Sequence, residues 1–103
     1  MLKRLLKQAP DTNAIFFCQD DLAQEALLEC LRQGISVPDR LAVAGIDDLA
    51  ISECTVPSLT TIKTPRYEVG VEAARMLRAL IEGESVPRET IDLGVQLRAG
   101  EST

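Results

Sequence analysis

Three groups of polar residues each follow a short apolar run, and their types suit recognition of a hydroxyl-rich ligand. Gln19, Asp20 and Asp21 follow residues 14–18; Asp47 and Asp48 follow residues 41–46. Lys63, Thr64, Pro65 and Arg66 stand at the end of residues 59–63. Carboxylates accept hydroxyl hydrogens, and an amide such as Gln19 both donates and accepts. In open α/β sheets ligands bind beyond the carboxyl ends of the strands, so three such groups converge on one rim if the strands are neighbours. A neutral sugar needs partners of this kind. Each group also has a structural reading. Asp20 and Asp21 suit a helix N-terminus, and Asp21 with Gln24 fits a capping box. Capping is the reading for Asp21, and pocket lining is the reading for Gln19. Asp-Asp after a strand is also an ordinary turn.

Catalysis finds little support. The chain has no His, no G-x-S-x-G elbow and no glycine-rich phosphate loop. An alternative is a phosphoacceptor like those of response regulators, with Asp47 taking phosphate, Lys63 binding it and the remaining acids holding magnesium. Cys18, Cys30 and Cys54 form no C-x-x-C pair and have no His to complete a zinc site. They read as buried or half-buried free thiols, and no metal or cofactor is expected.

The elements that position these groups follow from periodicity. Leu2, Leu5, Leu6 and Ala9 fall on one face of a short helix ended by Pro10. Residues 14–18 read as a strand buried on both faces. Leu22, Ala23, Ala26, Leu27, Cys30 and Leu31 form a helical stripe that stops at Gly34, with Leu28 off the stripe as a candidate surface contact. Residues 41–46 and 59–63 read as further strands, separated by a looser segment. A long helix begins near Arg66, with Val69, Ala73, Met76, Leu77 and Leu80 as its stripe and Gly70 as a place for close backbone approach. Residues 89–97 read as a last strand, and 98–103 as a loose polar tail. The fold class is α/β: a mainly parallel sheet with flanking helices.

Composition narrows the partners. Eleven Lys and Arg against sixteen Asp and Glu give a net charge of -5, which disfavours nucleic-acid binding by this chain itself. No run is long enough to span a membrane, and the basic start is broken by Lys7, Gln8 and Pro10, so no signal peptide follows. A cytoplasmic location is expected. Aromatic residues make up 3%, so the core must be aliphatic.

Several motifs occur in an order that resembles the LacI/GalR family of bacterial transcription regulators. Phe16-Phe17-Cys18-Gln19-Asp20-Asp21-Leu22-Ala23 is similar to the family's strand-to-helix motif. Gly34-Ile35-Ser36-Val37-Pro38-Asp39 resembles the connector after it, and Val43-Ala44-Gly45-Ile46-Asp47-Asp48 the Val-x-Gly-Phe-Asp-Asp segment. Pro57-Ser58-Leu59-Thr60-Thr61-Ile62 and Glu68-Val69-Gly70 with Ala73-Ala74 are similar to two later motifs, and Ser102-Thr103 to the usual ending. The resemblance implies a partial type I periplasmic-binding-protein-like effector domain over residues 1–103, with the DNA-binding headpiece and most of the first lobe outside this chain. It implies a homodimer that senses a sugar or sugar acid and meets operator DNA only through the N-terminal domain, with no enzymatic role and no membrane partner. The implied effector-binding residues are Gln19, Asp47, Thr64 and Arg66; the implied dimer interface includes Gln24, Leu28, Ile51 and Thr55. Gln19 stands where Asn is usual. Gly100 stands where many members carry Arg, and residues 97–100 look like a gluconate-repressor-type ending, although Asp47-Asp48 does not fit that subgroup. The resemblance implies that the long helix, from about Arg66 to Glu82, packs largely within the first lobe in the intact family, so its stripe here must find another partner or stay exposed. A periplasmic sugar carrier of the same fold is a third reading.

Overall fold

The computed structural model describes residues 1–86 and 90–103. The elements are α1 (Leu2–Gln8), β1 (Ala14–Phe16), α2 (Asp20–Gln33), β2 (Ala42–Ile46), a 3-10 helix (Ala50–Glu53), β3 (Thr60–Lys63), α3 (Arg66–Ile81) and β4 (Gln96–Arg98). The chain divides into two compact units, Met1–Lys63 with Gln96–Thr103, and Thr64–Val95.

The first unit holds one four-stranded sheet in the order β1-β2-β3-β4. β1 and β2, and β2 and β3, run parallel; β4 is antiparallel to β3. The mainly parallel α/β expectation therefore holds, with an antiparallel strand closing one edge. Side chains alternate along β2, where Val43 and Gly45 are buried and Ala42, Ala44 and Ile46 are half-buried. Val43 joins Leu2 of α1, the α2 residues Ala23, Ala26, Leu27 and Cys30, and Phe17, Leu41 and Leu59 in one hydrophobic core, aliphatic but for Phe17 and Cys30.

α2 follows its periodicity closely. Asp20 and Asp21 sit in the first turn, where acidic groups meet the positive end of the helix dipole, and Gly34 ends the helix at φ 67. That φ costs glycine little and other residues more. The capping box does not form. Gln19 is the N-cap residue and makes no side-chain cap bond. The helix begins two residues earlier than the box requires, with Asp20 turned inward as the first helical residue. Gln24 reaches across to Ser52 instead. Leu31, assigned to the stripe, is 76% exposed.

Other sequence expectations also need correction. β1 is three residues long and among the described residues pairs only with β2, so it is an edge strand there and is not buried on both faces. Phe16 is exposed while Phe17, just past the strand, enters the core. The last strand is confined to Gln96–Arg98; residues 90–95 are not strand, and Glu89 lies outside the described residues. Cys18 and Cys54 are exposed, and only Cys30 is buried. At Gly70 a side chain would meet nothing within 4 Å among the described residues, so the close backbone approach expected there is not seen.

The tail is ordered rather than loose. Ser102 is fully buried; its Oγ donates to the Val43 carbonyl at 2.6 Å and accepts from the Thr60 N–H at 2.9 Å. The Val43 N–H donates to the Ser102 carbonyl at 2.8 Å. Glu101 accepts from both the N–H and the hydroxyl of Ser58. The Ser102 side chain thus completes the hydrogen bonding of buried strand backbone, as burial requires.

In the second unit, α3 carries its apolar stripe with no residue fully buried among those described. Val69, Leu77, Leu80 and Ile81 are each more than half exposed.

Candidate functional site

The registers of the first unit align the strand ends. Phe16 lies opposite Ala44, so Gln19 and Asp47, each three residues further on, leave neighbouring strands at the same level. Ile46 lies opposite Ile62, which places Asp47 level with Lys63. The rim expected from the sequence therefore exists for Gln19, Asp47 and Lys63. Thr64 and Arg66 belong to the second unit, where the Arg66 N–H donates to the Thr64 carbonyl at 2.8 Å at the start of α3.

The acidic residues of the rim do not share one role. Asp20 is fully buried, and its two oxygens take three donors. Thr61 Oγ1 donates to Oδ1 at 2.6 Å; Ser52 Oγ and the Leu49 N–H donate to Oδ2 at 2.8 and 3.1 Å. Burying a carboxylate is costly unless such partners surround it, and the start of α2 adds its dipole. Gly45 makes the site possible, since a Cβ there would run into the Asp20 carboxylate and lie 3.3 Å from Ala23 Cβ. Asp48 is held by Arg98, whose Nε donates to Oδ1 and lies 3.8 Å from Glu53 Oε1. Asp21 is exposed.

Asp47 is different. Its backbone sits at φ 125 and that of Asp48 at φ 55, both in a region that favours glycine. The turn is pinned by the Asp47 N–H donating to the Ile62 carbonyl at 3.0 Å and the Asp48 N–H to Thr61 Oγ1 at 3.3 Å. The Asp47 carboxylate is half-exposed and takes no hydrogen bond among the described residues. Gln19, exposed at the head of α2, likewise keeps its amide uncommitted among them. The rim thus offers the Asp47 carboxylate, the Gln19 amide and the exposed Lys63 ammonium, backed by a hydrogen-bonded polar layer of Asp20, Asp48, Thr61 and Arg98.

The sequence marks Gln19, Asp47 and Asp48 as strand-end residues and Asp20 as suited to a helix N-terminus, but it does not show that Asp20 faces inward, and it does not single out Ser52, Thr61 or Arg98. A glycine inside a strand, opposite an acid at a helix start, was the available signal.

The four residues expected at a dimer surface also gather in one place. Gln24 Nε2 donates to Ser52 Oγ at 3.1 Å, and Thr55 Oγ1 donates to the Ser52 carbonyl at 3.2 Å. Ile51 adjoins Ser52, and Leu28 lies one turn beyond Gln24. Leu28 and Ile51 are 63% and 53% exposed.

This fold and rim define a partial type I periplasmic-binding-protein-like α/β domain, and the periplasmic binding protein-like domain family matches across residues 1–103. The HTH-type transcriptional regulator GntR of Pseudomonas aeruginosa is 51% identical over 100 residues, which are 97% of this chain and 29% of that protein. The crystal structure of transcription regulator GntR from Chromobacterium violaceum matches with a TM-score of 0.88 at 46% identity, covering 99% of this chain and 38% of that one. A sugar-binding LacI-family transcriptional regulator from Escherichia coli, complexed with phosphate, matches with a TM-score of 0.82 at 28% identity, covering 98% and 36%. The chain belongs to the LacI/GalR family of transcriptional regulators. It spans less than a third of the length of curated relatives it matches. No helix among the described residues is long and apolar enough to cross a membrane.

Proposed function

We infer that this chain is the C-terminal part of the effector-sensing and dimerisation domain of a cytoplasmic regulator. It binds a sugar or sugar acid and thereby controls operator binding by an N-terminal helix-turn-helix outside these residues. The observation that carries the reading is the Asp47 carboxylate, without a hydrogen-bond partner among the described residues and fixed on a strained turn, while Asp20 and Asp48 are engaged by internal partners. A carboxylate held open on a rigid turn suits paired sugar hydroxyls. Gln19 adds a donor and an acceptor at the next strand end, and Thr64 and Arg66 are proposed to complete the ligand contacts. The sugar-binding description of the Escherichia coli relative supports this ligand class. An effector that closes the domain shifts the protein between DNA-bound and released states by its differential affinity for the two. Gln24, Leu28, Ile51 and Thr55 are the proposed dimer surface.

Asp20 also weighs against the phosphoacceptor reading. Its oxygens face Thr61, Ser52 and Leu49 instead of standing ready for magnesium beside Asp47.

The test is a thermal-shift screen of the full-length chain against sugars, sugar phosphates and sugar acids. A ligand that raises the melting temperature of the parent, but not of Gln19→Ala or Asp47→Ala, supports the sensor. No shift with any of them, together with labelling of Asp47 by acetyl phosphate and magnesium, overturns it.

A further inference from the structure

A single hydrogen-bond chain runs through the first unit from the Asp47 turn to the outer face of α2. The Asp48 N–H donates to Thr61 Oγ1 at 3.3 Å, and the same hydroxyl donates to Asp20 Oδ1 at 2.6 Å. Asp20 Oδ2 accepts from Ser52 Oγ at 2.8 Å and from the Leu49 N–H at 3.1 Å. Ser52 Oγ in turn accepts from Gln24 Nε2 at 3.1 Å. Asp20, Ser52 and Thr61 are each fully buried, so water cannot replace a lost member without rearrangement. The two ends are functionally distinct surfaces in the reading above: the effector rim at Asp47 and the association surface around Gln24, Leu28 and Ile51.

We propose that Asp20 is a positioning residue shared by these two surfaces, fixing the Asp47–Leu49 turn through Thr61 and its own contact with Leu49, and the 3-10 helix through Ser52. Each hydroxyl in the chain has one proton. Thr61 spends its proton on Asp20 and has only lone pairs for Asp48. Ser52 spends its proton on Asp20 and has only lone pairs for Gln24. The directions of the bonds are therefore set by the carboxylate. A shift of the Asp47 turn draws on Thr61, then on Asp20, and reaches Ser52 and Gln24. Gly45 keeps the carboxylate in place by leaving the room that any side chain would take. Coupling of this kind is reciprocal: what loosens one end loosens the other. The assignment of the two ends rests on the sensor reading; the coupling itself is measured without any effector.

The experiment is residue-resolved amide hydrogen exchange on the full-length chain. Thr61→Val removes the hydroxyl near the rim with little change of shape. It is expected to speed exchange about tenfold at the Ser52 and Cys54 amides, which close the 3-10 helix, while the Ile35 amide at the far end of α2 is unchanged. Gln24→Ala, on the outer face, is expected to speed exchange severalfold at the Asp48 and Leu49 amides. Thr61→Ser, which restores a hydroxyl, brings the 3-10 helix amides back to the parent rate, a recovery that loss of packing alone would not show. Asp20→Asn, where it folds, releases both ends together. Unchanged exchange at the far end in Thr61→Val and Gln24→Ala, or an equal rise at every amide, overturns the proposal. Because no ligand enters the measurement, its failure leaves the thermal-shift test of the sensor untouched.

Discussion

Gly45 and Gly70 show how differently two glycines behave when only one of them is crowded. At Gly45 an added methyl group meets the Asp20 carboxylate, Asp20 Cα and Ala23 Cβ, and two of those neighbours are fixed by α2. Gly45→Ala is expected to cost about 1–3 kcal/mol, as overpacking does. Gly70 lies in the exposed interior of α3 with nothing nearby, so Gly70→Ala is expected to gain about 0.5–1 kcal/mol of helix propensity. Urea denaturation of the two variants checks this, and effects of the same sign would refute it. The sequence pointed to the wrong glycine, because it shows that a side chain is missing but not which atoms occupy the space. The same limit applied to Asp20, whose position at a helix start concealed that it faces inward. A further residue-scale expectation concerns Cys30, whose thiol pKa is raised above 9.0 by burial and then by the nearby Glu29 carboxylate. The folded state therefore holds that proton to higher pH than the unfolded state. The stability this confers is intact below pH 9.0 and is lost as pH rises from there through the folded value. The stability gap between the parent and Cys30→Ala is expected to narrow above pH 9.0, and a constant gap would count against it. Cys18 and Cys54, both exposed, are expected to react with a thiol reagent before unfolding, and Cys30 only after it.

Among the elements, the helices were the most legible, because a stripe at 3.6-residue spacing and a terminal glycine leave little freedom. α2 ends at Gly34 as its pattern implies, and α3 starts at Arg66. The edges were less legible. A short apolar run does not say how many neighbours a strand has, and β1 has one. The tail was misread for a related reason: a polar composition suits both solvent and the satisfaction of buried backbone. Ser102 tests the second role directly. Its hydroxyl serves a carbonyl of β2 and an N–H of β3, and both would be left buried and unpaired without it. Ser102→Ala is expected to destabilise the chain by about 1–3 kcal/mol. Thr103→Ala removes only the half-buried contact with Thr60 and is expected to cost less. Chemical denaturation of the two variants decides, and an equal or reversed order would show that the tail is held by its backbone alone.

At the scale of the whole molecule, the apolar surfaces left open among the described residues include one on α2 and the 3-10 helix and one on α3, and they are not equivalent. Leu28 and Ile51 stand beside a rigid, hydrogen-bonded patch built on Ser52. Val69, Leu77 and Leu80 form the uncovered stripe of α3 in a separate unit. Solvent-exposed stripes of this kind drive association unless another part of the chain covers them. Under the proposed function, the rest of the sensor domain covers α3 in the full-length protein, whereas the patch around Ser52 meets a second copy. The 103-residue chain alone then has two routes to self-association, and the full-length chain has one. Leu77→Glu with Leu80→Glu is expected to weaken association of the short chain. Leu28→Glu with Ile51→Glu is expected to raise the dissociation constant of the full-length dimer at least about tenfold, since each buried apolar anchor contributes more than about 1 kcal/mol. Sedimentation velocity over a concentration series separates the routes. A full-length dimer untouched by the Leu28 and Ile51 substitutions would move the interface elsewhere, and a strictly monomeric short chain would show that neither surface is sufficient by itself.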